Sequence, residues 1–217
     1  MKDLFLIRHG DAAPGPSRMD RDFRLTARGR KQAHRLGRRL EALEIKPERI
    51  YASTLTRARQ TAEILAEHVP APVHCRQDLI EHGAEVFLHE GSIAEAARRF
   101  PDQVAADGAP RILQGASPGV HWGFSVGGED VRALHRRARG AWEDLLRLHP
   151  RDGGQYLVVA HGSFLAALLT EALGLPLRPV WNFQLGHCAY AHLRFFAEAG
   201  GRWPVLCVDG PAGEAGE

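Results

Sequence analysis

Leu4-Phe5-Leu6-Ile7 is a short unbroken apolar run that stops at Arg8-His9-Gly10, the pattern of a strand buried on both faces that opens into a tight loop. Asp11 to Phe23 is rich in Pro, Gly and Asp, lacks periodicity, and is predicted as a loop. Ala33, Leu36, Leu40 and Leu43 then recur at helical spacing with charged residues between them, and Thr26 is placed to cap that helix. Ile50-Tyr51-Ala52 predicts a second strand. Ala58, Ala62, Leu65 and Val69 form the apolar stripe of a helix that stops before Pro70. Val73 to Gln77 predicts a weaker strand.

From His82 to Gly128 the pattern dissolves into Gly, Pro and Ala, with one predicted helix around Ile93 to Phe100, so this stretch is expected to be an insertion over one end of the sheet. A long helix is predicted from about Glu129, with acidic residues in its first turn, to about His149. Tyr156 to Ala160 is the strongest strand signal in the chain and ends at His161-Gly162. The helix after it, Phe164 to Leu173, closes on Gly174. Cys188 to Phe196 and Trp203 to Val208 predict two strands joined by a turn at Glu198 to Gly201. Alternating strands and helices imply crossover units and a mostly parallel sheet.

The 217 residues suffice for one domain, 1–217, with an insertion at about 82–128, and neither a repeat nor a linker divides the chain. Lys2, Lys31 and Lys46 are the only lysines among 28 basic residues, so positive charge is carried almost wholly by arginine, whose planar fork matches oxyanions. Compositional bias accounts for most of these arginines, and only those beside other reactive groups enter the argument. The basic stretch Arg28 to Arg39 reads as the solvated face of the first helix, so neither nucleic acid nor a membrane is the expected partner. Cys75, Cys188 and Cys207 suit reduced core thiols. No apolar run is long enough for a signal-peptide core or a membrane span, so a soluble cytoplasmic protein is expected. His82, His89 and His121 lack zinc-type spacing and are expected to be loop histidines. Trp122 and Phe124 are candidates either for the pocket mouth or for capping the core.

Three predicted strands are each followed by a basic segment: Arg8-His9-Gly10, Arg57, and His161-Gly162. In an open parallel sheet the carboxyl ends of the strands share one crevice, where ligands bind. Two histidines and two arginines meeting there repel one another unless an anion lies between them, and phosphate fits that role. Phosphoryl transfer develops charge on three equatorial oxygens, which positioned cationic donors stabilise. A histidine attacking phosphorus must be neutral, and the neighbouring guanidiniums are expected to lower the pKa of His9. Helix N-termini after Arg57 and His161 add N–H groups, and Ser163 adds one more donor. A carboxyl group must still protonate the leaving alkoxide.

The ordered set Arg8-His9-Gly10, Leu25 to Ala33, Ser53 to Ala62, Leu79-Ile80-Glu81, Gly127-Gly128-Glu129 and Val158 to Gly162 resembles the histidine phosphatase (phosphoglycerate mutase-like) superfamily. The resemblance implies an α/β three-layer α/β/α sandwich without a metal or other cofactor. It also implies His9 as the phosphorylated nucleophile, Arg8, Arg57 and His161 as phosphoryl ligands, and Glu81 as the proton donor, with Glu85 as the nearest competitor. Ala13 to Arg18 lacks the asparagine common in that family, for which Ser17 or Arg18 are the candidate replacements. Gln32 resembles the phosphatase branch more than the mutase branch. The start Arg8 to Ala12 also resembles the small phosphohistidine phosphatases.

The expected activity is therefore hydrolysis of a small phosphorylated metabolite through a phosphohistidine. Mutase-type transfer, phosphohistidine protein phosphatase activity and non-catalytic anion binding are the alternatives. The sequence leaves the substrate and the oligomeric state open.

Overall fold

The computed structural model describes residues 2–13, 22–82, 84–87, 98, 125–129, 131–148, 153–176, 183–198 and 201–209. Its central sheet has six strands: β1 (Lys2–Arg8), β4 (Arg49–Ser53), β5 (Val73–Arg76), β8 (Gln155–Ala160), β9 (Tyr190–Glu198) and β10 (Gly201–Asp209). They lie in the order β10-β9-β1-β8-β4-β5. β1, β8, β4 and β5 run parallel; β9 pairs antiparallel with β1, and β10 antiparallel with β9.

Unbroken apolar runs form the middle of this sheet because both of its faces are covered. Leu4 and Leu6 of β1 and Val158 of β8 pack on one face against α3 (Val131–Leu148) and α4 (Gly162–Ala172), with Leu134, Leu145, Phe164 and Leu168 in the same core. Phe5, Ile7, Leu157 and Val159 point the other way, against α1 (Ala27–Ala42) and α2 (Thr56–His68), where they meet Leu36, Leu40, Ala62 and Leu65. Successive strand residues alternate between the two cores, which produces the predicted three-layer α/β/α sandwich. Burying a leucine or isoleucine on this scale contributes about 1.5 to 3 kcal/mol per side chain, so the two cores dominate the stability.

Thr26 caps α1 as expected, its Oγ1 accepting from the Gly29 N–H at 3.0 Å. Several expectations are corrected. Leu43 is the C-terminal cap of α1 and 49 % exposed, because the helix ends one residue before it could complete the buried stripe. The loop predicted over Asp11 to Phe23 contains β2 (Ala12–Ala13), which pairs with β3 (Arg24–Leu25), a two-residue bridge too short to carry periodicity. The strand predicted to Gln77 stops at Arg76 and turns into a single 3-10 turn over Gln77–Leu79.

The insertion read as patternless has β6 (Ala84–Phe87) and β7 (Ser125–Gly128) paired antiparallel at its two ends. The helix predicted around Ile93 to Phe100, together with Ser17, Arg18, His89, His121, Trp122 and Phe124, lies outside the described residues, Arg98 excepted. α3 has no acidic residue in its first turn; Glu129 precedes it and pairs with Arg137 instead. Cys188 is buried but Cys75 is exposed, so the reading of both as core thiols fails for Cys75. Among the described residues no helix is long and apolar enough to cross a membrane.

Candidate active site

Registers within the sheet bring the chemistry together. Arg8 ends β1 opposite Ala160, which ends β8, and β4 lies on the other side of β8 with Ser53 at its end. His9, His161 and Ser53 therefore leave the carboxyl ends of three adjacent strands. His9 is 6 % and His161 0 % exposed, and their rings meet edge to face with centroids 5.1 Å apart.

The partners of His9 assign its tautomer. Nδ1 lies 2.7 Å from the Gly10 carbonyl oxygen, which only accepts, so Nδ1 carries the proton. Arg57 Nε–H donates to Nε2 at 3.1 Å, so Nε2 presents its lone pair. Burial lowers the His9 pKa to about 3, more than offsetting the Gly10 carbonyl, which raises it; Arg57, Arg8 and His187 lower it further. The guanidiniums expected to keep His9 neutral thus act in the expected direction, but desolvation is the larger cause.

His161 is held at Nε2 by Ser53 Oγ at 2.8 Å. That hydroxyl also accepts from the Leu55 N–H at 3.2 Å; with its own proton given to Nε2, the N–H of the His161 ring is at Nδ1. Burial first, then Arg57, His9, Arg137 and Arg8, push the His161 pKa well below its ordinary value.

Arg8 donates through Nη1 to the Leu185 carbonyl at 2.7 Å, and its guanidinium lies against Gly162, where an added Cβ would meet Cζ at 3.4 Å. Arg57 is in the first turn of α2 rather than in the loop after β4, and Thr61 holds that turn in place: its Oγ1 donates to the Arg57 carbonyl at 2.7 Å and accepts from the Gly10 N–H at 3.1 Å. Gly10 itself is required by close packing, because a Cβ there would approach the Gly29 carbonyl oxygen to 2.6 Å.

Arg8 Nε, Arg57 Nη1 and His161 Nδ1 are buried and, among the described residues, without a hydrogen-bond partner. Buried donors are nearly always paired, so three orphans around one pair of histidines, beside the N-terminus of α4, describe a receptor for a tetrahedral oxyanion.

Glu81 follows the 3-10 turn after β5. Its Oε1 accepts from the His82 N–H at 2.9 Å, and its charge is felt by both Arg8 and Arg57. Glu85 lies in β6, and its side chain is outside the described residues. Ser163 is the second residue of α4 and half-buried; among the described residues its hydroxyl makes no hydrogen bond. His82 is buried, and its Nε2–H donates to the Glu129 carbonyl at 2.7 Å. Among the described residues no group of three or more His, Cys, Asp or Glu side chains is placed to hold a metal.

Sequence reasoning missed three supporting residues. Arg137 reaches from α3 to the carbonyls of Asp78 and Ile80, each at 2.9 Å, while Glu129 takes its Nε and Nη2 at 2.8 and 2.6 Å, so it fastens the segment that carries Glu81. Asp22 caps α2 by accepting from the Thr56 N–H and influences Arg57. His187 lies beside His9 with ring centroids 5.6 Å apart. Ser53 is a fourth, and its place directly after the predicted strand Ile50-Tyr51-Ala52 is the one usable signal the sequence carried for any of them.

A doubly covered, mostly parallel sheet with unpaired buried donors around a buried, neutral histidine at its carboxyl edge is an arrangement suited to phosphoryl chemistry. The chain belongs to the histidine phosphatase superfamily, branch 1, whose family model matches residues 4–206.

Among curated proteins it is similar to a probable phosphoglycerate mutase, GpmB, of Enterobacter sp. (strain 638), 30 % identical over 200 residues that cover 90 % of this chain and 86 % of the relative. Among solved structures it resembles a mycobacterial glucosyl-3-phosphoglycerate phosphatase in complex with VO3, with a TM-score of 0.66 and 25 % identity over 98 % of this chain and 100 % of that one. A phosphoserine phosphatase of Entamoeba histolytica in complex with 3-phosphoglyceric acid shares the fold, with a TM-score of 0.70 and 20 % identity over 98 % of both chains. Phosphoryl transfer of the histidine-phosphatase type, through a phosphohistidine, is thus the general activity of this fold and family.

Proposed function

We propose that the protein hydrolyses a small phosphate monoester with His9 as nucleophile. The observation that carries this reading is the His9 tautomer, with Nδ1–H bound to the Gly10 carbonyl and the Nε2 lone pair turned toward Arg57, amid three donors that lack acceptors. Nε2 attacks phosphorus in line, the P–O bond to the ester oxygen breaks, and Glu81 passes the proton that enters with the phosphate monoanion to the departing alkoxide. Arg8, Arg57 and His161 neutralise the equatorial oxygens, with Ser163 and the α4 N-terminus as further donors. Glu81, now a carboxylate, takes a proton from water as that water attacks the phosphohistidine. Phosphate leaves, and His9 returns to its neutral form.

The Gly10 carbonyl shares the positive charge that the imidazole acquires on phosphorylation. Selectivity for the alcohol half is assigned to the 82–128 insertion of the single domain.

The test is metal-free turnover of p-nitrophenyl phosphate with vanadate inhibition, together with acid-quench trapping of phosphohistidine in wild type and in His9→Ala. Wild type is expected to trap phosphate and to be inhibited by vanadate, with both activities lost in the variant. Equal activity of the EDTA-treated proteins would remove His9 from the mechanism. Similarity to GpmB favours one second reading, transfer between positions of phosphoglycerate. Interconversion of 2- and 3-phosphoglycerate primed by a bisphosphate, faster than phosphate release, would select it.

A further inference from the structure

Between the end of α4 and β9, the turn at Gly186 to Ala189 is fastened to the end of β1 more firmly than a connecting turn requires. Cys188 N–H donates to the Arg8 carbonyl at 3.0 Å, Arg8 N–H donates to the Ala189 carbonyl at 3.0 Å, and Arg8 Nη1 donates to the Leu185 carbonyl at 2.7 Å. Ala189 N–H closes the turn onto the Gly186 carbonyl at 3.0 Å. Cys188 holds a positive φ of 55°, which costs a non-glycine residue about 1 to 2 kcal/mol. Strain of this kind persists only where the surroundings enforce it, and it concentrates at functional sites.

The residue this turn presents is His187. Its ring is tilted by 39° over His9 at a centroid distance of 5.6 Å, and its side chain is 32 % exposed, so it lies at the mouth of the pocket rather than in the core. Its Nδ1 faces Asp11 Oδ1 at 3.8 Å. Asp11 is itself fixed, since its Oδ2 accepts from Thr26 Oγ1 at 2.6 Å and its N–H donates to Gln32 Oε1 at 2.9 Å. Nδ1 turned toward a carboxylate leaves Nε2 as the ring nitrogen for a ligand, and among the described residues Nε2 has no hydrogen-bond partner.

The charged groups around the ring are Arg8 from β1, Asp11 after it and Arg28 from α1, with the tilted His9 ring alongside. Burial and the two arginines lower the His187 pKa while Asp11 raises it, so these groups together bias the imidazole toward the neutral form. A dianion bound beside His9 reverses that balance, because it adds negative charge next to the His187 ring.

We propose that His187 is a further ligand of the phosphoryl group, an imidazolium braced by Asp11 at Nδ1 and donating through Nε2, which takes up its proton as a dianion enters. This rests on the oxyanion pocket described above but not on His9 being the nucleophile.

Sulfate is a suitable probe, since it remains a dianion across the working range and needs no turnover. Its affinity is to be measured by calorimetry at about pH 6 and about pH 8.5 for wild type, His187→Ala and His187→Gln. A hydrogen bond to a charged group is worth about tenfold or more in affinity. The expected result is a loss of about tenfold in His187→Ala at the lower pH, narrowing to about twofold at the higher one. His187→Gln should regain part of the affinity, with a gap to His187→Ala that does not change with pH.

Wild-type affinity in both variants at both pH values overturns the proposal. So does an equal loss in both variants at both pH values, which would mean that the side chain only holds the turn; if His187→Ala does not fold, the His187→Gln comparison with wild type decides. Phosphohistidine trapping in wild type reports separately on His9. A pH-dependent sulfate defect in the variants of a protein that traps no phosphate would keep His187 as an anion ligand and remove the nucleophile.

Discussion

His9 is buried in a form that acid must oppose, which makes its substitution a test of the site's electrostatics independent of any substrate. In the unfolded chain its pKa returns to about 6.5, whereas burial holds it at about 3 in the folded protein. Between those values the unfolded state binds the proton and the folded state does not, so His9 favours folding fully above about pH 6.5 and loses that contribution as pH falls toward 3. Every pH step of one below about 6.5 costs about 1.4 kcal/mol, so the drop from about pH 7.5 to about pH 5 removes about 2 kcal/mol through His9 alone.

His9→Gln retains an amide oxygen that can accept from Arg57 Nε and has nothing to titrate. Urea unfolding of both proteins at the two pH values, compared as a difference of differences, cancels the carboxylates remote from His9. Wild type should lose about 2 kcal/mol more than the variant. Curves that shift in parallel to within about 0.5 kcal/mol would show that His9 is solvated or already protonated, and the neutral-nucleophile argument would go with it.

Arg137→Met removes the guanidinium that joins the Asp78 and Ile80 carbonyls to the Glu129 carboxylate, and should destabilise the fold by about 2 to 3 kcal/mol in chemical denaturation. It should also lower kcat while leaving phosphohistidine formation dependent on His9, because the segment bearing Glu81 loses its anchor. Gly29→Ala places a Cβ 2.0 Å from the Asp11 carbonyl oxygen, a backbone clash that should cost about 1 to 3 kcal/mol and displace the loop beside His9, read as a lower Tm with reduced activity. Gly140→Ala in α3 meets nothing within 4 Å and should instead raise stability by about 0.5 to 1 kcal/mol with activity unchanged.

The parts of the fold legible in the sequence were those where one residue type repeats for one reason. Leu4 to Ile7 and Tyr156 to Ala160 are apolar throughout because each strand serves two cores, and Thr26 announces a helix start because an orphan N–H needs its hydroxyl. Convergence of Arg8, His9, Arg57 and His161 was legible for a topological reason: parallel strands place their carboxyl ends side by side. What escaped depends on single long-range contacts. Arg137 looks like any helical arginine until its bonds to residues 78 and 80 are seen, and His187 precedes a strand with no motif around it. β2 and β3 are two residues each, too short for a period to exist.

The same contacts explain why a pocket so rich in cations can hold two uncharged imidazoles. Arg8 and Arg57 keep their charge despite burial that lowers their pKa values, since a guanidinium is the most basic of side chains and Glu81 partly compensates the burial. His9 and His161 begin near 6.5, so the same burial and the same neighbours drive them to the neutral form. Permanent cations and neutral imidazoles are thus sorted by intrinsic basicity in one shared environment. An arginine-to-lysine exchange would weaken that sorting, because an ammonium is more readily deprotonated on burial and lacks the fork through which Arg57 donates to His9 while leaving Nη1 for an oxyanion. The fork geometry and the high basicity are therefore separate requirements at position 57, and arginine satisfies both.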